Sequence, residues 1–189
     1  MSEEPDDRSH LLFPVPYRQR LRRAVPSLSE ILIGGPVWAL WMALSAWHAL
    51  WLREHDATFH LQSVLYLYAL GGFIAWPLAL SAARYVARDR AVETRFAAFL
   101  LCLAVGTVAT TGFLFCLDYR MFYSQWHAAA GSRMWFFQFI VTSVSAFYQF
   151  LVLGLRLYLP LGAIALVLAS LWLARDGERR ARFSARIPR

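Results

Sequence analysis

The sequence predicts an all-α polytopic membrane protein, with four transmembrane helices and an amphipathic outer-face helix before the last span. Three observations carry that prediction. Hydrophobic residues make up 59% of the 189 and charged residues only 16%, against roughly 45–50% and 25% in soluble domains. The apolar residues fall into runs of about the 20 residues that a helix needs to cross a bilayer. The basic residues, all 19 of them arginine, gather between alternate runs.

The elements follow in order. Residues 1–30 form a polar arm, with Glu3, Glu4, Asp6 and Asp7 ahead of Pro14, Pro16 and Pro26 and a cluster of Arg18, Arg20, Arg22 and Arg23. Its length and prolines argue against a cleaved signal peptide. A membrane domain covers residues 31–174, with spans at about 31–52, 61–83, 96–117 and 156–174. Residues 175–189 form an Arg-rich tail. The stretch from Met134 to Ala174 is too long for one crossing: as a helix it would reach about 60 Å, twice the hydrocarbon thickness of about 30 Å. Gly154, Arg156 and Pro160 interrupt it. One span over 156–174 preceded by a separate helix over about 135–153 keeps the basic C-terminus on the same side as the other basic segments.

The arginines set the orientation. Five lie in the arm, four between the second and third spans (84, 88, 90, 95) and six in the tail, fifteen in all. By the positive-inside rule both termini are cytoplasmic. The expected location is a bacterial inner (plasma) membrane, with anionic lipid at the cytoplasmic face as the default partner of the arginines. A net charge of +7 raises the question of nucleic acid, but the tail carries Phe183 alone for stacking, and no nucleic-acid partner is expected.

Within 135–153, Gln138, Thr142, Ser145 and Gln149, continued by Arg156, recur at helical spacing as a polar stripe opposite a broad aromatic face. Three placements are open. The helix can lie flat in the outer interface, or run straight into the last span with its stripe against the other outer loop. It can also slide partly into the bundle and line a polar cavity. Cys102, Gly106 and Thr110 recur every fourth residue of the third span, a small-residue face for helix packing that Thr107 and Thr111 repeat one position round. Gly71-Gly72 and Trp76-Pro77 mark a packing or kink point in the second span. Cys102 and Cys116 lie about 21 Å apart on one helix, too far for a disulfide.

The histidines are the most informative polar residues. Topology puts His48, His55, His60 and His127 toward the outer side, near Asp118, and leaves His10 in the arm. Such groups ligate zinc, copper or haem iron, so His48, His60, His127 and Asp118 form a candidate outer-face cluster. The metal is unknown, and no cofactor is assigned beyond a possible metal or haem. No catalytic residue is nominated. Without lysine there is no Schiff-base chemistry, and HExxH, GxSxG and P-loop motifs are missing. The layout is similar to that of the bacterial membrane thiol oxidases, but the CxxC pair that carries their chemistry is absent.

The functional expectation is a small non-enzymatic subunit or scaffold of a membrane complex, with a membrane-protein partner or a second copy of itself. A metal- or haem-handling redox protein using the outer histidines is the alternative. A component of a small-solute transporter is the third reading.

Overall fold

The computed structural model describes residues 24–53, 60–87 and 90–184, the last eight of these as backbone alone. His10, His55 and most of the arginine-rich arm lie outside the described residues. Among the described residues the fold has five α-helices and no strand.

α1 runs Leu28–Trp51, α2 Leu61–Val86 and α3 Val92–Tyr123, with a 3-10 turn over Ser124–Trp126. α4 runs Arg133–Gln149, followed by a π turn over Phe150–Gly154 and a 3-10 turn over Leu155–Tyr158, and α5 runs Leu161–Ser184. Four stretches are long and apolar enough to cross a membrane: Leu28–Trp51, Leu61–Val86, Val92–Trp126 and Arg133–Tyr158.

The apolar part of α5, Leu161 to Ala174, reaches about 20 Å, less than a bilayer core of about 30 Å. Its helix starts five residues later than the 156 expected from sequence, because Pro160 has no N–H to donate and the 3-10 turn fills 155–158. The Leu159–Pro160 peptide is cis.

α1, α2 and α3 pack side by side. Small residues set the closeness: a Cβ on Gly72 would stand 3.3 Å from the Ala39 backbone, and one on Gly106 3.2 Å from Ala79. Thus Gly106 of the expected packing face does meet a neighbouring helix, while Cys102 and Thr110 are half-buried beside it. Thr107 and Thr111 are buried. Pro77 sits within an uninterrupted α2. The core gathers Trp38, Met42, Tyr68, Trp76, Leu80, Phe99, Leu103 and Phe150.

α4 runs antiparallel along the C-terminal part of α3. Cys116 Sγ donates to the Ser143 carbonyl at 3.5 Å, and the Arg120 guanidinium lies 3.7 Å over the Phe139 ring. α5 then continues against α3 and α1. α4, the two turns and α5 therefore form one interrupted run along α3. Two groups of the expected polar stripe bond the loop between α3 and α4 that leads into this run. Gln138 accepts from the Ala128 amide at 2.9 Å, and Thr142 bonds His127 Nε2 at 3.3 Å.

An interrupted helix leaves backbone groups without partners, which apolar surroundings penalise. Here side chains from α1 and α2 take them. Ser45 Oγ donates to the Leu157 carbonyl at 3.0 Å and accepts from the Gly162 amide at 2.9 Å. Tyr68 donates its hydroxyl proton to the Gly154 carbonyl at 2.6 Å, and the Tyr158 hydroxyl donates to Thr111 Oγ1 at 2.8 Å.

Candidate functional site

The end of the bundle that holds the start of α1 is organised by Glu30. The local sequence Ser27-Leu28-Ser29-Glu30 is a capping box: Glu30 N–H donates to Ser27 Oγ at 3.4 Å, and the Ser27 amide donates to the Glu30 carboxylate at 2.9 Å. The same carboxylate receives Arg84 of α2 as a two-pronged pair at 2.7 and 3.0 Å. A planar guanidinium matches a carboxylate in this way. Trp76 Nε1 donates to the Glu30 carbonyl at 3.1 Å. That approach needs Gly34, where a Cβ would collide with the indole. Trp38 stacks against Trp76 with centroids 5.8 Å apart and donates to Thr107 Oγ1 at 3.1 Å.

Beside this node α1 and α5 part. Ser45 binds both Leu157 and Gly162, so the two helices are pinned where α5 begins. Toward Glu30 they diverge and leave a groove of about 730 Å³. Trp38, Trp76, Leu80, Phe99, Ala165 and Leu173 form its buried floor, and Ile33, Val37, Leu168 and Trp172 its exposed lips. Its mouth carries Glu30, Arg84, Arg95 and Asp176. Arg84 is committed to Glu30. Arg95, half-buried on the first turn of α3, has no side-chain hydrogen bond or ion pair among the described residues. The volume lies within the roughly 300–1,000 Å³ of small-molecule sites. Its lining is apolar along α1 and α5 and charged at one end.

A second, smaller hollow of about 580 Å³ lies between α3 and α4. Its one cation, Arg120, is already stacked on Phe139.

The residues of the expected outer-face cluster sit in different local settings. His48 is half-buried on α1, its ring 6.4 Å from that of Trp51, with Nδ1 buried and unbonded among the described residues. His60 is exposed at the N-terminus of α2 and makes no capping bond. His127 bonds Thr142, and Asp118 is exposed on α3. Among the described residues no three His, Cys, Asp or Glu side chains come together as a metal site. The polar stripe is also divided. Gln138 and Thr142 face the tip of α3, and Gln149 is half-buried, whereas Ser145 and Arg156 are exposed. The buried seam of α4 passes instead through Ala146 to Phe150 and Gly154.

The Glu30–Arg84–Trp76 node, the bonds of Ser45 and Tyr68, and the groove itself were not anticipated from sequence. The capping box is the one part with a local signature, S-x-x-E ahead of an apolar run. In comparisons with protein-family models, curated proteins and solved structures, nothing matched this chain.

Proposed function

We propose that the protein is a small non-enzymatic subunit or scaffold of a membrane complex, and that it works by holding a hydrophobic guest in the groove between α1 and α5. The groove is the observation that carries this reading. A hollow this large, opening sideways between two membrane helices, is filled by whatever apolar matter fits it, and its charged mouth selects among the candidates. The positive-inside distribution, with fifteen of 19 arginines on one side, supports a bacterial inner membrane with both termini cytoplasmic. In that orientation the groove opens toward the cytoplasmic leaflet.

Purification in mild detergent, with mass spectrometry, absorbance and metal analysis on one sample, tests the proposal. The expected result is a stoichiometric guest, lipid or protein, that is lost when Ala169 on the groove wall is replaced by Trp. A Soret band or one metal per chain, with nothing else bound, would overturn it in favour of the redox reading through the histidines.

A further inference from the structure

The groove has a length, a closed end and at its mouth one arginine without a described partner, and together these select its occupant. From Glu30 to Trp41 along α1 is about 17 Å, at about 1.5 Å per residue. One leaflet of a hydrocarbon core of about 30 Å is about 15 Å thick. The groove ends where Ser45 ties α1 to Leu157 and Gly162. A transmembrane helix crosses both leaflets and would need the groove to continue past that pinch. A lipid chain needs only one. Trp38, Trp76 and Phe99 supply an apolar floor along this depth.

At the mouth, Arg84 is satisfied by Glu30, and Asp176 already has an interaction. Arg95 is the cation without a described partner there. A guanidinium presents paired donors that match phosphate oxygens.

We infer that the α1–α5 groove holds one phospholipid of net negative charge, an acyl chain along Trp38, Trp76 and Phe99 and its phosphate against Arg95. The inference rests on the reading of the groove as a guest site and names the guest. In the proposed orientation the lipid comes from the cytoplasmic leaflet.

The test is native mass spectrometry of the full chain after reconstitution in nanodiscs that mix phosphatidylglycerol with phosphatidylcholine. Wild type is expected to retain one phosphatidylglycerol per chain. Arg95→Gln should lower that retention about tenfold, the worth of a lost charge-assisted bond, and Arg95→Lys should restore part of it. Arg133→Gln, an exposed arginine at the start of α4, should leave it unchanged. Equal retention of the two lipids, or equal loss in Arg95→Gln and Arg133→Gln, would overturn the assignment to Arg95. Retention of no lipid by folded wild type would overturn the inference. A photoreactive residue at Val37 then separates the two levels. Capture of a defined membrane protein at Val37 keeps the guest site without its lipid, and capture of neither removes both.

Discussion

Ser45→Ala should destabilise the protein by about 2 kcal/mol, measured as reversible unfolding in mixed detergent micelles. Ser45 is fully buried, and its hydroxyl serves the Leu157 carbonyl and the Gly162 amide together. Alanine leaves both without a partner. Each such group costs about 1–3 kcal/mol in a protein interior, although hydrogen bonds between membrane helices average nearer 0.6 kcal/mol. Ser170→Ala is the matched control. Ser170 is equally buried, but its hydroxyl has no hydrogen-bond partner among the described residues. Removing it takes away a desolvated polar group and should leave stability unchanged or slightly raised. Equal losses in the two variants would show that the Ser45 bonds do not secure the break.

Gly71→Ala should be at least as damaging, by about 3 kcal/mol, although alanine favours helix over glycine by about 1 kcal/mol. A Cβ on Gly71 would run into the Thr111 hydroxyl and stand 2.8 Å from Thr111 Cβ and 3.0 Å from its Cα. Moving Thr111 away also disturbs the bond it accepts from Tyr158 at 2.8 Å. Combining the change with Thr111→Ala should restore only part of the loss, because alanine keeps the β-carbon and the backbone that the new methyl group meets. Full recovery in the same unfolding measurement would mean that the hydroxyl alone sets the spacing of α2 and α3.

The contrast between these sites and the sequence shows where local pattern stops being informative. The first three membrane helices are written in uncharged runs. Their ends move outward where helix continues past charge: α3 passes Asp118 and Arg120 to reach Tyr123. Gly154, Arg156 and Pro160 mark an interruption, and the chain does break there. That the break is tucked against other helices depends on Ser45 and Tyr68, 112 and 86 residues away from their partners. No window on the sequence joins them. That the histidines form no three-ligand group among the described residues has a related reason. Topology fixes depth along the bundle, but not the side of the helix from which each residue projects. His48 projects beside Trp51, whereas His127 projects toward Thr142 on another helix. Ser27 and Glu30 announce a helix start locally, yet the guanidinium that completes their node comes from Arg84, 54 residues from Glu30.

The groove exists because α4 and α5 form one interrupted run along α3. That division starts α5 at Leu161, pins it to α1 at Ser45 and opens the space beyond. Cysteine cross-linking in membranes tests it directly, with Cys102 replaced by Ala and native Cys116 retained. Ser143→Cys places a thiol on the α4 face that meets Cys116, whose Sγ lies 3.5 Å from the Ser143 carbonyl. Ser145→Cys places one on an exposed face of the same helix. The predicted result is rapid cross-linking to Cys116 within a single chain for position 143 and little for 145. Equal rates at the two positions, or no cross-link from 143, would contradict the arrangement and with it the groove.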